Sequence, residues 1–480
     1  MASRTDEKSP AQPPPPGILT DTSDPEDGPA SASAPPRSSD DDVVAVSRWR
    51  RWIILFTVCW LPIPMTFGTS SVMAVTPEVA SDLHVDETAI HVANAGVFVA
   101  MAMSPLIWNP VARLVGRRVG YLLAAAVMCL CSLGAALAPN LAAFAAIWVI
   151  GGSTGVVFLV SGQTILSDIF EPTIRGTAVG FFLGTCVSAN TVAPLTGGII
   201  ATYTSWRVIY GVQAAMSFFG LVMAWFFVPK DVTPAVDLGF RTGKPTSECL
   251  RTLASTFSPR TVFKMFLFPN ILLADIACGL LSFNQYGLLS SIRFSVGERF
   301  GLNTPLTSGL FYLAPGGGFL LGSTIGGKIS DHTVKRYLVK RNGLRLPRDR
   351  LRSGLGAMFL VLPLGTLLFG WGLQDNIGGM ALPAVSAFFA GAGLMWSFSG
   401  LNTYSAEVYP PCKTEVISSK YIIQYSFSAV TMATRVTMME SIGIGWSFTI
   451  TAITGFLAGV VVLFLIRYAP KTEKLMSEGK

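Results

Sequence analysis

Asp275 stands in the run Leu272-Leu273-Ala274-Asp275-Ile276, a carboxyl with apolar residues on both sides. An ionisable group in such a run is costly to keep from water and marks a functional position by default. A carboxyl that gains and loses its proton there suits reversible proton carriage; the plainer alternative is a group satisfied by a neighbouring helix. Arg435 and Glu440, five residues apart, are expected to pair with one another near the end of their run, and His84 and His91 to lie at the surface. The uncharged polar residues form the larger set. Asn284, Gln285 and Tyr286 stand together, Gln163, Asn190 and Gln424 fall in other apolar runs, and Asn402 and Tyr404 come just after one, the run 378–401. Amides and phenols hydrogen-bond carboxylates and carbonyls without the desolvation cost of a fixed charge. As substrate-binding candidates they indicate a modestly polar cavity, fit for small or amphiphilic organic molecules rather than inorganic ions. The sequence holds no zinc-ligand cluster, no phosphate-binding Gly loop with its Lys and no nucleophile elbow. Neither an enzyme nor a metal or cofactor site is expected.

The elements that must position these residues are membrane helices. Charged residues make up 13% of the chain and hydrophobic ones 51%, whereas a soluble chain devotes about a quarter to charge. A span needs ~20 mostly apolar residues. Candidates fall at 53–74, 88–109, 119–138, 141–163, 176–200, 207–228, 268–291, 306–327, 353–372, 378–401, 416–437 and 443–466. The fold class is thus all-α and polytopic, with twelve transmembrane helices in two six-helix bundles. Lys and Arg fall in alternate gaps: Arg48 to Arg51, Arg113 to Arg118, Lys230 to Lys264, Lys328 to Arg352, and Arg467 to Lys480. The intervening gaps carry Glu78, Asp82, Asp86 and Glu87, or almost no charge. Basic loops mark the cytoplasmic side, so both termini are expected in the cytosol. The net charge of +7 is spread over those loops, where anionic lipid headgroups rather than nucleic acid are the natural partner.

Five segments follow: a disordered cytoplasmic tail at 1–47, a bundle at 48–228, a linker at 229–267, a bundle at 268–467 and a tail at 468–480. The first is Pro- and Ser-rich, acidic, and has little to bury. The seven Cys read as packing residues. In each half a basic loop joins the second and third spans, Pro110–Arg118 and Gly327–Arg352. Parallel repeats of this kind build transporters that expose a midplane site to each side in turn.

Short motifs sharpen that reading. Gly116-Arg117-Arg118 follows span two; Gly326-Gly327-Lys328-Ile329-Ser330-Asp331 repeats the pattern more fully in the second half. Span five runs from Gly184 to Ala193-Pro194-Leu195-Thr196-Gly197-Gly198. Ser167-Asp168-Ile169-Phe170 to Arg175-Gly176, Ser205-Trp206-Arg207 and Pro347-Arg348-Asp349-Arg350-Leu351 add local matches. On these residues the chain resembles the major facilitator superfamily over positions 50–468, and within it the fungal twelve-span drug:proton antiporter branch. Gly327 is expected to admit a close helix approach, with Asp331 capping a helix end or pairing with Lys335 or Arg336 in a latch that breaks as the halves rock. Pro194 is expected to kink span five, and Gly197 and Gly198 to offer a flat face to the other half.

The departures count as well. The loop signature carries an acid four residues after a Gly, where this chain has Asn109 and Arg113, which argues against a first-half latch. Similar antiporters carry an Arg in span four, but Ile147–Gly152 holds no cation, and Gln424 stands where they show a basic residue in span eleven. The resemblance then implies a plasma-membrane exporter of a small organic metabolite, such as an organic acid of the itaconate kind. The alternative is a broad drug:proton antiporter. A transporter-like receptor and an importer are the rivals; a monomer is the default for this fold.

Overall fold

The computed structural model describes residues 48–170, 172–228, 259–302, 304–342 and 346–478. The tail expected at 1–47 and most of the linker expected at 229–267 lie outside them. The described chain is almost entirely helical. Among the described residues, ten helices are long and apolar enough to cross a membrane: Trp49–Ala74, Glu87–Val115, Arg117–Ala136, Leu141–Leu166, Gly180–Tyr203, Arg207–Phe227, Pro269–Val296, Pro347–Gln374, Ala381–Glu407 and Ile444–Tyr468. Two more helices, Leu313–Lys340 and Lys413–Ile442, occupy the expected eighth and eleventh places. They match the others in length but are less apolar: Leu313–Lys340 is Gly-rich and ends in the basic stretch from Lys328, and Lys413–Ile442 carries several Ser and Thr together with Lys420 and Arg435. With them the order is that of spans one to twelve. The last helix runs on to Glu478, so the tail expected at 468–480 is helical almost throughout.

Prolines set the breaks. Span one is interrupted at Leu61, just before Pro62 and Pro64, and span eight at Tyr312, three residues before Pro315, since Pro supplies no N–H to the helix ladder. Span five, by contrast, runs continuously through Pro194. Gly116 joins spans two and three at φ 88°, a backbone setting that a side chain disfavours. Arg118, at the start of span three, donates to the Trp225 carbonyl at the end of span six. Phe181, Phe218, Trp225, Leu368 and Phe389 face outward, as large apolar side chains do where lipid rather than water surrounds the protein.

Spans eight and ten approach most closely. A Cβ on Gly318 would meet the Phe388 carbonyl, and one on Gly322 the Ala392 carbonyl; backbone cannot yield as a side chain can. Gly322→Ala is expected to cost ~1–3 kcal/mol through overpacking. Gly327→Ala, where nothing lies within 4 Å, is expected to hold or raise the unfolding midpoint in detergent, since Ala gains ~0.5–1 kcal/mol over Gly inside a helix. Gly327 is therefore not the expected contact glycine. Gly326 is, with Trp396 Cα 2.7 Å from its would-be Cβ.

Candidate functional site

Short connections bring the loops together at two ends. At the end opposite the basic loops, Arg207 pairs with Asp82, and Arg207 Nη2 donates to the Ala138 carbonyl. That pairing holds the Asp82 carboxyl below its usual range, chiefly through the hydrogen bond from Arg207. Here the two halves are clamped. Arg293 at the end of span seven reaches Glu78 of the first half at 2.8 Å, and also donates to the Leu302 and Thr304 carbonyls and Ser308 Oγ. Burial pushes the Glu78 carboxyl up from its usual range, against the opposing pull of Arg293. Span five packs on span eight at the same end. Gly198 lies against Pro305, the Pro194 carbonyl against Gly309, and Thr191 against Gly316, while Leu306 N–H donates to Thr202 Oγ1 at 3.1 Å.

Gly197 does not join this contact; it meets Ser71 of its own half. Gly184 and Gly180, nearer the basic end, have open space beside them. The close backbone contacts of span five with the second half thus lie at its far end.

At the basic end the latch differs from the one expected. Asp331 pairs with Arg350 at 3.2 Å, not with Lys335 or Arg336, and Arg350 also holds Glu407 at 3.3 Å. All three belong to the second half, so this network does not break when the halves rock. The tie between halves comes from the two residues that depart from the motif. Arg113 pairs with Glu415 at 2.6 Å, and Asn109 Nδ2 donates to Ser418 Oγ at 2.9 Å. Side chains of Ser167, Asp168 and 171–177 lie outside the described residues.

Between the ends, an aromatic cluster bridges the halves. Phe98 of span two sits edge-on to Tyr286 of span seven at 4.6 Å and stacks with Tyr425 of span eleven at 6.0 Å; Tyr425 stacks in turn with Tyr421. Gln163 Nε2 crosses from span four to donate to Tyr421 Oη at 3.2 Å. Gln285 is buried beside Tyr286, and Gln424 lies one helical turn from Tyr421 with Oε1 buried and without a hydrogen bond. Asn190 accepts from Ser70 Oγ at 2.8 Å in the first half. Asn284 turns away from the interface, donating to Leu280 O and to Thr454 Oγ1 of span twelve.

Next to this cluster is a charged one that sequence reading passed over. Lys420, 2% exposed, donates through Nζ to Asn402 Oδ1 at 2.8 Å and lies 4.0 Å from the centre of the Tyr421 ring. It acts electrostatically on Asp275, which is fully buried and also faces Ser419. Neither Asp275 oxygen makes a hydrogen bond of normal geometry. Asn402 and Tyr404 are thus inside span ten, not after it, with Tyr404 wholly buried. Lys420 was legible in principle, since it falls within the apolar stretch 416–437; the polar pair Ser418-Ser419 before it disguised the run. Arg435 was misassigned. It is 1% exposed and bonded within the bundle, while Glu440 is exposed and unpaired with it. His91 is buried rather than at the surface. An open groove of about 1270 Å³ lined by Ala80, His84, Asp86, Val92 and Leu141 lies at the first half's opposite end, away from both clusters.

Two halves tied at both ends, with an aromatic and charged centre between them, is an arrangement for holding an organic solute. The sequence model of the Major Facilitator Superfamily matches residues 58–433. The chain belongs to the Major Facilitator Superfamily. It is a multi-pass membrane transporter rather than an enzyme, and its partner is a small-molecule substrate. Among curated members, the efflux pump radE of Floropilus chiversii is 25% identical over 78% of this chain and 72% of its own length. The MFS-type transporter acdC of Aspergillus candidus is 24% identical over 87% and 84%. Dityrosine transporter 1 of Saccharomyces cerevisiae is 22% identical over 82% and 76%. The crystal structure of a D-xylose-proton symporter shares the fold, with TM-score 0.62 at 14% identity over 86% of this chain and 97% of that one. An inward-open structure of the xylose transporter XylE from E. coli gives 0.62 at 13% over 86% and 96%.

Proposed function

We propose that this superfamily member exports a small organic metabolite carrying an acidic group across the plasma membrane by alternating access. Both termini lie in the cytosol, and a single chain does the work. The observation that carries this reading is Lys420: a buried ammonium held by Asn402 beside a cluster of tyrosines at the meeting of the two halves. A carboxylate on an aromatic or aliphatic body satisfies both parts, through a charge-assisted hydrogen bond and through apolar contact. Gln163, Gln285, Tyr286 and Gln424 border the same space and orient the solute. The halves are tied at both ends, by Arg293–Glu78 and by Arg113–Glu415, so export requires the basic-end tie to open for loading and the other to open for release. The name of radE, an efflux pump, agrees with outward movement.

Asp275 favours a second reading, a drug:proton antiporter, because a buried carboxyl beside Lys420 can exchange a proton as its neighbour changes partner. One experiment separates them: metabolite profiling of the medium from cells with and without the gene. A single organic acid lost from the medium and retained inside is the result expected. An unchanged medium with new sensitivity to unrelated toxic compounds would falsify the dedicated exporter and favour the antiporter.

A further inference from the structure

Arg435 lies in the second half near the opposite end, 15 residues beyond Lys420 on span eleven, or about 22 Å along the helix. Its guanidinium lies over the Phe448 ring, 4.0 Å from the ring centre. Nη1 donates to Thr451 Oγ1 at 2.8 Å and to the Ser447 carbonyl at 3.4 Å, both in span twelve. Gly287 of span seven lets the group sit close, its would-be Cβ 3.6 Å from Nη1. That accounts for one end of the fork and for one face. Nε and Nη2, which point their N–H bonds in parallel along the remaining edge, are buried and make no hydrogen bond; Ser447 Oγ is buried and unbonded as well. Among the described residues no carboxylate forms an ion pair with Arg435.

A guanidinium keeps its charge in proteins and has no acceptor capacity. Buried without a counter-charge, it is costly to the fold. The edge left over is the one that grips a carboxylate through two parallel bonds. We propose that the Nε–Nη2 edge of Arg435 binds a carboxylate, as an anion site separate from the Lys420 cluster. A small monocarboxylate or the acidic end of a transported molecule fits; a spherical halide cannot use both bonds. The site stands apart from the export reading, so its failure leaves that reading intact.

The test uses the purified full-length protein in detergent, with benzoate as probe and chloride at equal ionic strength as control. Benzoate raises the unfolding midpoint of the wild type and of the double variant Lys420→Met, Asp275→Leu, in which the Lys420 cluster can no longer hold a carboxylate. Added to that double variant, Arg435→Lys, which keeps the cation and loses the fork, lowers benzoate affinity about tenfold or more, the loss of one strong bond to a charged group. An equal response to chloride overturns the proposal, as does a response in the double variant that Arg435→Lys leaves undiminished, or no response in the double variant at all. Should the variant fold poorly, phenylglyoxal labelling of the wild type, read by mass spectrometry at Arg435, decides the matter. Labelling slowed by benzoate and not by chloride supports the site. Labelling that benzoate does not slow, or none at all, shows an edge that carboxylates do not occupy or cannot reach.

Discussion

Lys420→Ala abolishes export and lowers stability by ~3–5 kcal/mol, the cost of stripping one partner from a buried charged cluster. The substitution leaves the Asp275 carboxyl in a fully buried position without its cation, and Asn402 Oδ1 without its donor. A fall in activity alone says little, since a damaged fold does the same. The double variant Lys420→Met, Asp275→Leu removes both charges and keeps the volume filled, and well-packed apolar replacements of buried ion pairs are often neutral or better. Its unfolding midpoint in detergent is expected to return to the wild-type value. Its export of the acid identified by profiling is expected to stay at background, because the solute still lacks its cation. Wild-type export by the stable double variant would make the pair a packing device and remove Lys420 from the substrate site.

What could be read from the chain follows from what membranes impose. Span number, order and repeat came from apolar length and from the placement of Lys and Arg, and lipid leaves few alternatives to a helix at each run. The polar set was partly legible: Gln163, Gln285, Tyr286 and Gln424 lie at or beside the aromatic cluster, and Asn402 holds Lys420. Asn284 was not, because three neighbouring polar residues on a helix point in different directions, and its side chain turns to span twelve. Phe98 and Tyr425 carried no signal at all, since an aromatic in an apolar span is equally at home against lipid. The ion pairs were the least legible. Asp331 was expected to pair along its own helix, but Arg350 is folded back onto it from the next span. Arg113 read as a broken motif, although its partner lay 302 residues away in Glu415.

The two pairs that join the halves, Arg113–Glu415 and Arg293–Glu78, stand one at each end and lead to opposite expectations. Arg113→Glu sets two carboxylates against each other at the basic end and drives the halves apart there. Glu78→Lys sets two cations together around Arg293 and drives them apart at the other end. Both arguments rest on repulsion, because the net worth of an intact pair is small when exposed and uncertain when buried. The Arg113 side chain is 47% exposed and Glu415 14%, against 10% and 28% for Arg293 and Glu78. The populations should therefore shift about fivefold at the basic end and tenfold or more at the other. Spin labels across each end, with distances measured by double electron–electron resonance, report the shift. Arg113→Glu is restored by Glu415→Arg, which returns the pair with its signs exchanged. The wild type adds a check on sign. Glu78 is held above its usual range when its end is closed, so closing binds a proton. Closure there is fully favoured below the ordinary glutamate range and weakens as pH rises through the raised value. Labels that move alike in both variants, or not at all, would show that these pairs do not govern which end opens.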